Sequence, residues 1–185
     1  MDFDKITINY RVGDRFDSDW PPYRYVTHIY GEILGVDKES GEETNLGKIR
    51  LAKIHLWEMD EARIPRIEVL DEDAEWAHLL GVEIEENYQT ALVVESVVIK
   101  PEARGHKLGL LAAARAIRQW ADDNTLVSLK PGAYGSEVYG ENDPSSDEAL
   151  LAYWLRLGLV PDPDVQGVLV GDGGTTWMVQ LQEFC

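Results

Sequence analysis

The sequence predicts an α/β fold, a single domain over residues 1–185 with a mixed central sheet, and three observations carry that expectation. Several segments alternate apolar and polar residues with the two-residue period of half-buried strands. The segment Thr90 to Lys100 is almost continuously apolar, as suits a central strand covered on both faces. That segment leads through a glycine-bearing loop into a helical pattern and then a short strand, a β-loop-α-β unit whose two strands should be parallel. No repeat, low-complexity tract or linker divides the 185 residues, which suffice for one core.

Taken in order, Lys5 to Val12 alternates as a first strand and is interrupted by the Trp20-Pro-Pro-Tyr23 loop. Residues 25–36 and 46–57 are rich in β-formers and flank the polar stretch Asp37 to Asn45, so they read as an antiparallel hairpin. Residues 71–80 place Ala74, Trp76, Ala77, Leu79 and Leu80 among acids, as in a short amphipathic helix ending before Gly81. Its acids, Asp71, Glu72, Asp73 and Glu75, fit a solvated first turn better than oxygen ligands converging on a metal. Pro101 stops the strand from Thr90, and residues 107–121 form a helix with Leu110, Ala114, Ile117 and Trp120 or Ala121 on one face. Leu126 to Lys130 is the next strand. Ser145, three residues before Glu148, has the spacing of a capping box for a helix running to Gly158. Gln166 to Val170 and Thr175 to Leu181, joined by Gly171-Asp-Gly-Gly174, complete a terminal hairpin. The predicted order is β-β-β-α-β-α-β-α-β-β.

Composition narrows the partners. A formal net charge of −17 opposes binding to nucleic acid and to acidic membrane surfaces, while amine partners are easier to accept. No apolar run reaches the ~18 residues of a membrane helix, and the N-terminus lacks a signal-peptide layout, so a cytoplasmic protein is expected. The single cysteine, Cys185, allows no internal disulfide and no cysteine-based metal site.

One stretch reverses the charge. Lys100 to Arg118 holds five of the seventeen Lys and Arg residues and one acid, Glu102. Within it Gly105 and Gly109 flank the passage from strand to helix, where free backbone N–H groups can face an anion. A pyrophosphate suits such a loop: glycine permits close backbone approach, and Arg104 can add a charge-assisted hydrogen bond.

The wider run Val97-Val-Ile-Lys-Pro-Glu-Ala-Arg-Gly-His-Lys-Leu-Gly-Leu-Leu111 resembles the acyl-CoA motif of the GNAT N-acetyltransferase superfamily. Tyr153-Trp-Leu-Arg-Leu-Gly-Leu159 is similar to a later helix of that family, and the resemblance spans residues 90–182, an acyl-CoA-binding half after a substrate-side half at 1–89. The family loop is commonly Arg/Gln-x-x-Gly-x-Gly/Ala. Arg104 and Gly109 match it, whereas Lys107 stands where the middle glycine is expected. The resemblance implies acetyl-CoA as co-substrate, with Arg104, Gly105, His106, Lys107, Leu108 and Gly109 around the pyrophosphate. It also implies backbone groups of Val98, Ile99 and Lys100 along the pantetheine arm, between strands 90–100 and 125–130 that part company. No metal is implied. The first half departs from the commoner family order, which puts helices after the first strand.

Acetyl transfer to an amine needs a base and often a proton donor for the leaving thiolate. Glu95, in the middle of the apolar strand, is the expected base, because burial raises a carboxylate's pKa; a structural carboxylate paired with a neighbouring element is the competing role. The resemblance puts a tyrosine donor four residues before the helix-ending glycine, where this chain has Trp154, so Tyr153 is the nearest candidate and core packing its alternative. The loop Pro131 to Pro144 is long for a connection and could cover an acceptor. The expected function is N-acyl transfer from acetyl-CoA to a small-molecule or protein amine, with a homodimer possible. The alternative is a non-catalytic acyl-CoA-binding module, which lacks turnover. A dinucleotide-binding module fits less well, since Gly-x-Gly-x-x-Gly is absent.

Overall fold

A computed structural model of the protein describes residues 3–13, 24–38, 40–64, 88–131, 146–163 and 165–174. It is mixed α/β. Among the described residues seven strands form one sheet in the order β1-β2-β3-β4-β5-β7-β6. β1 (Phe3–Val12), β2 (Val26–Asp37), β3 (Glu43–Ile54) and β4 (Thr90–Ile99) pair antiparallel in succession. β5 (Thr125–Leu129) lies parallel to β4, as a crossover connection through a helix allows. β7 (Leu169–Asp172) runs antiparallel to β5, and β6 (Val160–Pro161) pairs antiparallel with β7.

Helix α1 (Leu56–Ala62) follows β3 directly, and α2 (Leu108–Trp120) and α3 (Ser146–Leu155) follow β4 and β5. α2 is lined with small residues. Ala112, Ala113, Ala114 and Ala116 are buried beside Leu110 and Ile117, letting the helix lie close against Ile29, Ile49, Leu51, Leu92 and Val94 of the sheet. Trp154 of α3, Leu157 and Leu159 extend that core. On the opposite face Leu56 and Met59 of α1 pack on Val26, Ala52, Ile54, Ala91 and Val93, at one end of the long strands.

Several boundaries differ from the expectations. The strand expected over 46–57 stops at Ile54, and Leu56 and Trp57 begin α1, because Leu56 and Met59 bury together one helical turn apart. The turn expected at Gly171 to Gly174 also shifts, since Gly171 and Asp172 pair in β7 with Val127 and Leu126. Its partner segment 175–181, the helix expected over 71–80, the loop 132–144 and Ser145 lie outside the described residues. Gly158, the expected stop of the later helix, has φ +86°, past the end of α3 at Leu155. Among the described residues no helix is long and apolar enough to cross a membrane.

Candidate functional site

The site grows from an irregularity in β4. Arg50 pairs with Ser96 while Leu51 pairs with Val94, so Glu95 is an extra residue, a β-bulge on β4. Side chains alternate across a strand, and one extra residue restarts the alternation. Leu92 and Val94 before the bulge, and Val97 after it, pack in the α2-side core, and Ile99 joins Val97 beside Leu108 and Ala112. Ala91, Val93 and Glu95, then Ser96, Val98 and Lys100, take the other face. The carboxylate of Glu95 meets Arg50 there, 3.1 Å from its Nε, and its side chain is 11% exposed.

Beside the bulge the sheet opens. β4 and β5 pair from Thr90 with Thr125 to Val94 with Leu129, where β5 ends. Glu95 to Ile99 therefore continue without a β5 partner, and the burial of β4 drops from buried to half-buried at Glu95. Ligands of such β-α-β units lie at the carboxyl ends of the strands.

The start of α2 borders this gap. A 3₁₀ turn, Pro101–Ala103, follows β4, and Gly105 turns the chain with φ +87°, a left-handed value that glycine takes without a Cβ clash. Lys107, the residue before the helix, is also left-handed, with φ +57°. The N–H groups of Leu108, Gly109 and Leu110 have no acceptor inside the helix. That of Leu110 donates to the Tyr153 hydroxyl at 3.1 Å. Gly109 makes room for it, because a Cβ there would stand 2.9 Å from the hydroxyl oxygen.

Tyr153 thus reaches the helix start from α3, while Trp154 turns its ring into the core at 9% exposure, edge-on to Tyr153 with ring centres 5.1 Å apart. Burial raises the Tyr153 pKa above its usual value of 10, and the Leu110 N–H and Arg156 offset part of the rise. The phenol accepts from Leu110 and keeps its own proton to donate.

The expected site residues therefore divide. Arg104, Gly105, His106, Lys107, Leu108, Gly109 and Tyr153 gather around the start of α2, and Ile99 touches that group through Gly109. Val98 and Lys100 lie on the other face of β4 together with Glu95 and border a basin on it. Arg104 is exposed and donates from Nε to the Ile99 carbonyl at 3.1 Å, so part of the guanidinium expected on a phosphate is occupied by the strand end. His106 is exposed. Glu95 pairs with Arg50 of the neighbouring strand, as its competing structural role requires. Arg50 and Ser96 were not anticipated. Their signal is the adjacent polar pair Glu95-Ser96 inside an apolar strand, which a regular alternation forbids. Among the described residues no group of three or more His, Cys, Asp or Glu side chains converges as metal ligands would.

Comparison with family models, with curated proteins and with solved structures finds no match to this chain.

Proposed function

We propose that the protein is an N-acyltransferase with a GNAT-like arrangement, one that moves an acetyl group from acetyl-CoA directly to an amine. The observation that carries this reading is the stretch of β4 from Ser96 to Ile99, paired with β3 but beyond the end of β5 and bordered by the start of α2 with the Tyr153 hydroxyl beside it. The residues fit the cofactor's chemistry. The N–H groups of Leu108 and Gly109 at the helix start, the Gly105 turn and the remaining donors of Arg104 suit a pyrophosphate. At Val98 to Lys100 the Lys100 N–H already donates to the Leu46 carbonyl and the Ile99 carbonyl already accepts from Arg104, so an amide-bearing arm would rely on the remaining backbone groups along the β5-facing edge of β4.

When bound, acetyl-CoA supplies the activated acyl group. Glu95, on the open face, takes a proton from the incoming amine as its nitrogen bonds to the acyl carbon. Tyr153, on the α2 face, gives its proton to the sulfur as the carbon–sulfur bond breaks. The two groups thus flank the free edge of β4 from opposite faces, so the amine enters from one side and the thiol leaves on the other.

The test is a thermal-shift titration followed by an acetyl-transfer assay. Saturating CoA at about a hundred times its Kd should stabilise the fold by ~2.7 kcal/mol. A melting temperature that stays flat to millimolar CoA removes the reading. Binding without turnover on any amine leaves only an acyl-CoA-binding module.

A further inference from the structure

The face of the sheet opposite α2 is covered by α1 at one end, over Val26, Ala52 and Ile54. At the other end, among the described residues, it forms a basin of about 550 Å³ floored by β1 to β4. That volume suits a small molecule rather than a helix or a polymer. The lining alternates correctly for one face: Asn9 and Arg11 on β1, Tyr30 and Glu32 on β2, Lys48 and Arg50 on β3, then Val98 and Lys100. Gly47 lets β3 and β4 approach closely, because a Cβ there would collide with the Val98 carbonyl.

Its charge contradicts the rest of the molecule. Four cations, Arg11, Lys48, Arg50 and Lys100, face two carboxylates, Glu32 and Glu95, in a chain of net charge −17. Arg50 is shared with Glu95 and sits over the Tyr30 ring at 5.4 Å. Among the described residues Arg11, Lys48 and Lys100 have no ion-pair partner. The four cations outnumber the two carboxylates, so a net like-charge repulsion remains, and an anion placed among them removes it.

We infer that this basin binds the carboxylate or phosphate of a small molecule, which, on the acyl-transfer reading above, is an amine acceptor carrying an anionic group. Glu95 lies at the rim beside Arg50, so an acceptor anchored by its oxyanion on Lys48, Lys100 and Arg11 presents its amine towards the base. The acidic remainder of the surface repels polyanions, leaving small oxyanions as the ligands that see chiefly the basin.

The experiment needs no CoA. Succinate, inorganic phosphate and, as a cationic amine of similar size, putrescine are titrated calorimetrically into the wild-type protein, Lys48→Gln/Lys100→Gln, the single exposed-site variant Lys48→Glu, and Arg104→Ala. At least one oxyanion should bind and putrescine should not. The double variant and Lys48→Glu should each weaken that binding by about tenfold or more, the scale of a charge-assisted contact. Arg104→Ala should leave it unchanged, and the preferred probe tells carboxylate from phosphate. Absence of binding by both oxyanions, undiminished binding in folded Lys48→Glu, or loss in Arg104→Ala equal to that in the basin variants overturns the inference. Oxyanion binding combined with a flat CoA titration instead removes the acyl-transfer reading and leaves the anion site standing.

Discussion

Replacing Tyr153 with phenylalanine separates the hydrogen bond that its hydroxyl accepts from the proton-donor role proposed for it. The oxygen accepts the Leu110 N–H at 3.1 Å at the start of α2, and phenylalanine leaves that half-buried donor without its acceptor. An orphaned buried donor costs ~1–3 kcal/mol, and partial exposure of Tyr153 argues for the lower end, about 1 kcal/mol. For a chain of this size that lowers the melting temperature by roughly 2–4 °C. If the same hydroxyl also protonates the departing thiolate, turnover should fall by about 10²–10⁴, the usual contribution of a positioned acid, while CoA affinity changes little. Because burial raises the phenol's pKa above 10, the wild-type protein should keep this phenol protonated throughout neutral and mildly alkaline conditions. The assay is steady-state acetyl transfer from pH 6 to pH 10 beside a denaturation curve. A variant that loses the predicted stability yet turns over at the wild-type rate across that range makes Tyr153 a remote helix cap, and the acid role is withdrawn.

Three further outcomes are expected. Arg104→Ala should weaken CoA binding by about 1.5 kcal/mol, the low end for a hydrogen bond to a charged group since Nε already serves Ile99, and unchanged affinity in calorimetry would take Arg104 out of the site. Lys107→Gly should leave stability unchanged or raise it by up to ~1 kcal/mol, because relief of a left-handed backbone worth ~1–2 kcal/mol competes with the extra freedom of glycine in the unfolded chain; a clear loss in urea unfolding would mean that the lysine side chain contributes there. Tyr10, whose hydroxyl is buried without a hydrogen-bond partner among the described residues, has its pKa pushed up to about 12 by burial, against a smaller opposing pull from Arg115. The folded state then holds this proton more tightly than the unfolded chain, so its stabilising contribution is intact below pH 10 and fades by roughly 2 kcal/mol as pH rises towards 12; Tyr10→Phe should flatten that decline, and an unaltered slope refutes the assignment.

The elements legible in the sequence were those whose period is long and unbroken. β1, the β2–β3 hairpin and the β4-α2-β5 unit all occur where alternation or helical spacing predicts them, since each buries one regular face. α1 was hidden because Ile54-His-Leu-Trp57 continues the apolar content of β3, and His55 provides no side-chain cap to announce a helix. β7 was cut short on paper because Gly171 and Asp172 favour turns by themselves, a preference that pairing with β5 overrides. The loop from Arg104 to Gly109 was readable through its glycines and charge, whereas the destination of the Arg104 and Tyr153 side chains depends on β4 and α3 lying beside it, which no local pattern records. The substitution of Trp154 at the expected tyrosine position has a packing reason: its indole fills the core beside Leu157 and Leu159, and the neighbouring Tyr153 is left to reach Leu110.

The bulge at Glu95 connects these features. In a regular β4, residues 91, 93, 95, 97 and 99 would share one face, placing Val97 and Ile99 in the basin and pressing Ser96 and Lys100 against α2. Burying a lysine ammonium beside Leu108 and Ala112 would cost several kcal/mol, so the regular register is excluded by the residues themselves. One extra residue resolves the conflict: Val97 and Ile99 stay in the core with α2, while Glu95, Ser96 and Lys100 fall together on the open face. The same residue coincides with the end of β4–β5 pairing, so the edge that becomes free lies next to both the carboxylate and the start of α2. A packing requirement of Val97 and Ile99 is therefore enough to place a carboxylate, a basic basin and a helix terminus around one strand segment.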